Sequence, residues 1–264
     1  MLSPPLVCER RAMRKGEPMG AGLPTSHPDL SIVIPIFNEQ DNLEPLIDEI
    51  EAVLGALDRS FEVLCIDDKS TDSSLDVLRR LKMDRPRLRV IPHSINCGES
   101  AGQVTGFQRA LGEVIVTMDA DQQNNPADIA RLLEALDSNT DAVCGIRRRR
   151  EDNLVRRLSS RIANWFRNTI TGDQISDSGC TLRAMRREAL QEVPVFNGLH
   201  RFLPTILRLQ GFKVKEILVD HRPRTRGTSK YGVGNRMWRG IRDCFAMRWY
   251  RARCVPSRRV AADE

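Results

Sequence analysis

Asp119-Ala120-Asp121 sets two carboxylates one residue apart, directly after the apolar run Val114-Ile115-Val116-Thr117-Met118. At the end of a buried strand, such a pair is a small all-oxygen ligand set of the kind that holds a hard divalent cation. Mg2+ keeps several of its waters and is commonly shared between one or two carboxylates and substrate phosphates. The pair therefore predicts an enzyme acting on a nucleotide-linked substrate. A second cluster has the complementary charge. In His221-Arg222-Pro223-Arg224-Thr225-Arg226-Gly227-Thr228-Ser229-Lys230-Tyr231, the residues Arg224, Arg226, Ser229 and Lys230 surround a glycine. Guanidiniums bind phosphate bidentately and glycine lets backbone approach an anion, so this segment is a candidate phosphate clamp. A basic surface loop would have the same composition. Ser176-Asp177-Ser178-Gly179 adds a further carboxylate, which can orient a substrate or simply form a turn before glycine.

These residues must be positioned by regular elements, and the pattern supplies them. Strands are predicted over 30–37, 61–66, 88–92, 114–118 and 142–146. Helices alternate with them over 41–57, from Asp72 through Leu81, over 100–111 and over 128–136. The first helix carries Leu43, Leu46, Ile47, Ile50, Val53 and Leu54 on one face, with Asp41 or Asn42 as its cap. Strands alternating with helices imply a mostly parallel sheet covered on both faces. The second half is less regular. It has a basic helix over 154–170, a strand over 180–183, a short helix from Arg187, a helix over 201–209 ended by Gly211, a strand over 213–219 and a last helix over 235–253. In an open parallel sheet, ligands bind beyond the carboxyl ends of the strands. Asn38-Glu39, Asp67-Asp68, Asp119-x-Asp121 and Arg147 each follow a strand. Any one could be a cap or a solvated turn, but four on one edge favour a ligand cleft.

The segments Ser31-Ile32-Val33-Ile34-Pro35-Ile36-Phe37-Asn38-Glu39, Ile66-Asp67-Asp68-Lys69-Ser70-Thr71-Asp72 and Met118-Asp119-Ala120-Asp121-Gln122-Gln123 together resemble the family 2 glycosyltransferases. The likeness runs from about Leu30 to Tyr250 and is strongest to the polyprenyl-phosphate branch typified by dolichol-phosphate mannose synthase. It implies a GT-A fold, a Rossmann-like, mostly parallel α/β sheet flanked by helices, with a C-terminal amphipathic helix. By the same resemblance, Pro35, Asn38, Glu39, Ile66, Asp68, Ala120 and Arg147 bind the nucleotide sugar. Asp119 and Asp121, with Gln123, hold Mg2+ or Mn2+. Asp177 joins Asp119 and Asp121 as a catalytic residue, and Arg224, Arg226, Ser229 and Lys230 contact phosphates. The family often has Leu-Gln after the carboxylates, where this chain has Gln122-Gln123. The processive Gln-x-x-Arg-Trp motif is not found, which implies transfer of a single sugar. The implied reaction moves that sugar, with inversion, from a UDP- or GDP-linked donor to polyprenyl phosphate. A saccharide or other cell-envelope acceptor is the alternative.

The bulk composition bounds these expectations. With 264 residues, the chain fits one large domain with tails. The expected divisions are a disordered tail over 1–28, a catalytic domain over 29–232 and a basic helix and tail over 233–264. Net charge is +6, and about a dozen Arg and Lys fall between Arg222 and Arg259 against the single acid Asp243. That block favours phosphates or an anionic membrane surface. A nucleic-acid partner is not expected, because no aromatic base-stacking motif accompanies it. The seven cysteines include no Cys-x-x-Cys pair, so reduced thiols are expected and a zinc site is not. No apolar run reaches the ~18 residues of a membrane span. Trp and Arg in the last helix suit a headgroup region. The expected location is peripheral, at the cytoplasmic face of the cell membrane, with a homo-oligomer or a membrane-protein partner as possible company.

Overall fold

The computed structural model describes residues 27–147, 167–191, 193–223 and 233–256. The tail over 1–26, most of the helix expected over 154–170 and the clamp residues Arg224, Arg226, Ser229 and Lys230 lie outside the described residues. A seven-stranded sheet forms the centre, in the order β3-β2-β1-β4-β6-β5-β7. Its strands are β1 (Leu30–Ile36), β2 (Phe61–Asp67), β3 (Leu88–Pro92), β4 (Val114–Thr117), β5 (Ala142–Arg147), β6 (Arg183–Arg186) and β7 (Val214–Val219). The helices are α1 (Gln40–Gly55), α2 (Ser74–Asp84), α3 (Glu99–Arg109), α4 (Asp128–Ala135), α5 (Leu199–Leu209) and α6 (Val233–Arg253).

Strand alternation explains the layering. Ile32, Ile34 and Ile36 of β1 face a core shared with Leu43, Leu46, Ile47 and Ile50 of α1, Leu78 of α2 and Ile129 of α4. Val33, Leu64 and Ile115 face the opposite core, built with Phe107 of α3, Phe202 and Leu203 of α5, and Cys244 and Met247 of α6. Both faces of the sheet are thus covered, as the near-continuous apolar strands require.

Two glycines on α3 bring that helix close to β1. A Cβ on Gly102 would stand 2.9 Å from Pro35 Cβ, and one on Gly106 would stand 2.2 Å from Val33 Cγ1. Pro35 lies two residues beyond the last β1 residue paired with β4, so its missing N–H removes no bond from that ladder. Gly106→Ala is expected to destabilise the fold by about 1–3 kcal/mol through overpacking. Gly55, which has nothing within 4 Å of a built Cβ, is the control. Urea unfolding of both variants checks this, and equal midpoints would contradict the close packing of α3.

The structure shifts several element boundaries. The strand expected over 180–183 is observed at Arg183–Arg186 and runs antiparallel to both β4 and β5. The first helix starts at Gln40, before either expected cap, with no capping bond from the preceding side chain. Its first amides are met from the neighbouring loop instead. Gln40 N donates to Asp72 Oδ2 at 3.3 Å and Glu39 N donates to Ser74 Oγ at 2.9 Å. Asp72 also accepts Ser74 N at 2.9 Å, so it serves two helices from just outside α2.

Candidate active site

β1 lies between β2 and β4, and the strand order reverses there. Such a reversal splays the connections apart and opens a crevice at the strand carboxyl ends. Asn38 and Glu39 leave β1 on one side of it, and Asp119 and Asp121 leave β4 on the other. The backbone at this edge is unusual. Asn38, Lys69 and Gln122 have φ of 55°, 60° and 60°, and they follow β1, β2 and β4. Left-handed backbone at non-glycine residues costs of order 1–3 kcal/mol each and persists where surrounding contacts over-determine it.

Side-chain bonds between the loops hold this edge. Asn38 Oδ1 accepts Thr71 N at 2.7 Å and its Nδ2 donates to Thr71 Oγ1 at 3.0 Å. Asn38 N donates to Ser70 Oγ at 3.0 Å. Asn38 therefore stitches the β1 loop to the β2 loop. Glu39 Oε2 accepts Asn42 Nδ2 at 2.7 Å.

Asp68 is turned inward. It is 3% exposed, and its carboxylate accepts Cys97 N at 2.8 Å and Gly98 N at 2.7 Å. His93 Nδ1 bonds the same group at 2.8 Å, and His93 Nε2 bonds Thr105 Oγ1 at 2.9 Å. Asp68, His93 and Cys97 place ligand-type atoms within 4.8 Å of one another, but Asp68 and His93 are spent on these bonds. Ile66 is wholly buried in the core against α3. Both residues shape the crevice from behind its wall, not from its surface. Pro35 packs on α3 and is half-buried.

The β4 loop carries the charge. Asp119 is half-buried and Ala120 is 4% exposed. Burial first, and then the nearby Asp121 charge, raise the Asp119 carboxyl to about 6, with the Thr181 hydroxyl, Arg183 and Arg147 partly opposing them. An arrangement that raises a carboxyl through burial and a like charge is short of positive charge, and the donor set is all oxygen. It fits Mg2+ or Mn2+. Asp121 Oδ1 accepts Gln123 N at 3.1 Å. Gln123 Nε2 donates to Arg222 O at 3.5 Å, so of the two amide atoms the carbonyl oxygen is the one suited to a cation.

β6 supplies the third side. Because β6 is antiparallel, its start lies among the strand ends that carry the carboxylates, with Thr117 opposite Arg183. Thr117 Oγ1 donates to Thr181 O at 2.6 Å, and Asn124 Nδ2 donates to Thr181 Oγ1 at 3.3 Å. Arg183 is 1% exposed and donates to His200 O at 2.7 Å. Thr181 and Arg183 are not among the site residues expected from the sequence, although both lie within four residues of Gly179. Arg147 and Asp177, assigned separate roles in the sequence, meet as a bidentate ion pair. Nε and Nη2 of Arg147 each reach an Asp177 oxygen at 2.7 Å, with side chains 12% and 13% exposed. Arg147 N donates to Asp177 Oδ2 at 3.3 Å, and Gly179 N donates to Asp177 Oδ1 at 3.1 Å.

Known proteins that this chain resembles fix its family and fold. Residues 31–194 match the model of the family described as glycosyl transferase family 2. An undecaprenyl-phosphate 4-deoxy-4-formamido-L-arabinose transferase of Edwardsiella ictaluri is 36% identical, over 77% of this chain and 63% of its own length. A dodecaprenyl-phosphate galacturonate synthase of Rhizobium johnstonii is 33% identical, over 88% of this chain and 70% of its own length. The chain thus spans a little under two thirds, 63%, of the first of these relatives. Among solved structures, glucosyl-3-phosphoglycerate synthase from Mycobacterium tuberculosis superposes with a TM-score of 0.64 at 18% identity, covering 87% of this chain and 82% of that one. A mannosyltransferase from Pyrobaculum calidifontis, solved with GDP-mannose and Mn2+, gives 0.58 at 20% identity, covering 90% and 68%. At these identities the structures establish the fold as GT-A, and the family match carries the assignment: this chain belongs to glycosyl transferase family 2.

Proposed function

We propose that this chain transfers a single sugar, with inversion, from a UDP- or GDP-linked donor to a polyprenyl phosphate. The observation that carries the reading is the Asp119–Asp121 pair at the strand-order reversal, with its raised carboxyl and all-oxygen donors. The names of the polyprenyl-phosphate relatives support the acceptor. The nucleotide-sugar and Mn2+ complexes of the structural neighbours support the donor side. Asp119, Asp121 and Gln123 would hold Mg2+ or Mn2+, and that ion, when bound, supplies Lewis-acid stabilisation of the departing diphosphate. Asn38 and Glu39, on the other wall, would face the nucleoside, with Pro35 and Ala120 nearby. Arg224, Arg226, Ser229 and Lys230 are proposed for the phosphates.

A phosphate acceptor is already ionised near neutral pH, so the site has little need of a general base. Asp177 fits that chemistry. Held by Arg147, it can fix the acceptor side of the cleft without taking a proton. What remains for the protein is positioning and charge stabilisation.

An anionic membrane surface is the proposed setting. On α6, Cys244 and Met247 are buried against the core, whereas Phe245 and Trp249 are 57% and 66% exposed. Arg242, Arg248 and Arg253 are exposed around them. Aromatic side chains ringed by arginine suit the headgroup layer. Among the described residues, no helix is long and apolar enough to cross a membrane. The cytoplasmic face is proposed because nucleotide sugars are used there.

The test is transfer from a panel of labelled UDP- and GDP-sugars, with Mn2+, into vesicles of anionic lipid with and without undecaprenyl phosphate. The expected result is a lipid-extractable sugar phosphate that requires the polyprenyl phosphate. Transfer to a saccharide in its absence would replace this reading with the same fold acting on a different acceptor.

A further inference from the structure

Beyond β7, the chain crosses the loop that bears Asp121 and Gln123. His221 pairs with Asn124 in an isolated antiparallel bridge. Arg222 N donates to Gln123 O at 2.9 Å. The Arg222 guanidinium then reaches past the loop to α1. Its Nη1 and Nη2 donate to Glu49 Oε2 and Oε1 at 2.9 and 2.7 Å. Nη2 also donates to Asn125 Oδ1 at 2.7 Å. One residue therefore ties together α1, the 121–125 loop and the exit of β7.

Two observations give this clasp a role in the site. Gln122, inside the loop, has φ of 60°, a conformation that lasts only where neighbours fix it. The clasp grips the loop immediately after Gln122, at Gln123 and Asn125, on the C-terminal side of Asp121. Secondly, the Arg222 and Glu49 side chains are 40% and 30% exposed. Ion pairs this open to water add little to global stability, yet a forked guanidinium–carboxylate pair sets orientation well. The contact is thus better suited to holding geometry than to holding the fold.

We propose that Arg222 and Glu49 are positioning residues that keep the 121–125 loop in its metal-receiving shape. This rests on the reading of Asp119 and Asp121 as metal ligands. Groups that orient metal ligands from behind typically change metal affinity by about 10–100-fold when altered.

Arg222→Lys keeps the charge and loses the fork, and Glu49→Gln keeps the shape and loses the charge. Both are made in the full chain. Mn2+ binding is followed by electron paramagnetic resonance of the free ion, with and without UDP, and thermal melts monitor the fold. Both variants are expected to weaken Mn2+ at least about tenfold while melting within a few degrees of the wild type. Raising Mn2+ should restore kcat, so the defect sits in the metal constant. The swapped pair Glu49→Arg with Arg222→Glu should regain part of the affinity. Wild-type Mn2+ affinity in both variants would overturn the clasp while leaving the metal site intact. A wild-type chain that binds no Mn2+ would overturn the metal reading itself, and the clasp with it. If Arg222→Lys fails to fold, Glu49→Gln decides alone.

Discussion

Asp119→Asn is expected to lower sugar transfer by roughly a thousandfold, and at the same time to raise the melting temperature of the metal-free protein. The loss follows from removing one ligand of a cation whose stabilisation of a leaving diphosphate is worth several kcal/mol. The gain follows from the raised carboxyl, which stands at about 6 because of burial and then of Asp121. A carboxyl raised on folding binds its proton more tightly in the folded state than in the unfolded one. Its contribution is most favourable below the unfolded value and is lost as pH rises through about 6. At neutral pH the ionised Asp119 therefore works against the fold by up to about 3 kcal/mol, less for whatever water reaches it. Asparagine carries no charge and removes that penalty, which for a chain of this size is a rise of a few degrees. The same proton competes with the metal. Mn2+ affinity of the wild type should fall about tenfold per pH unit below about 6 and flatten above about 7. Calorimetric Mn2+ titrations across that range, with melts of both proteins in chelator, check all three signs. A variant that melts lower than the wild type at neutral pH would contradict the electrostatics.

Asp177→Asn and Arg147→Met are expected to cost similar amounts of activity, and the double variant no more than either. The two side chains are 13% and 12% exposed and share two bonds of 2.7 Å. Removing one partner of a pair this enclosed strands the other, at about 3–5 kcal/mol. That cost falls on the loop that enters β6, the side of the cleft proposed for the acceptor. A general base would behave differently. Asp177→Asn alone would then lose about 10²–10⁴, Arg147→Met far less, and the pH–rate profile would gain a limb from Asp177. Single-turnover rates for the three variants between about pH 6 and 9 separate the two patterns. Strict additivity would overturn the shared role.

The strand ends of β1, β2 and β4 were more legible in the sequence than the segment that enters β6. β1, β2 and β4 are apolar runs closed by acids or amides, so strand position and strand-end chemistry are written together. The alternation of Ile32, Val33 and Ile34 even anticipates which residue meets which helix layer. What could not be read is which acid faces the cleft. Asp68 and Asp119 are the same residue type in the same kind of position. Asp68 is drawn inward by the amides of Cys97 and Gly98, 29 and 30 residues away. Arg147 and Asp177 looked like independent ligands because nothing local shows that they meet. The clasp spans 173 residues and has no sequence signature. β6 was misplaced by three residues because a fully buried arginine, Arg183, begins it, where an apolar run would have marked a strand.

The reversed strand β6 fixes a long excursion of the chain where it rejoins the sheet. The chain leaves the sheet with β5, ending at Arg147, and returns with Arg183 directly beside Cys144 of the same strand. The two ends of that excursion are therefore pinned one strand apart, whatever lies between them. The last residues before Arg183 belong to the sheet's own packing: Cys180 and Leu182 are buried in the core, and Thr181 holds Thr117 of β4 and Asn124 of the carboxylate loop. A change just before Arg183 is therefore transmitted across one strand to the edge that bears Asp119 and Asp121.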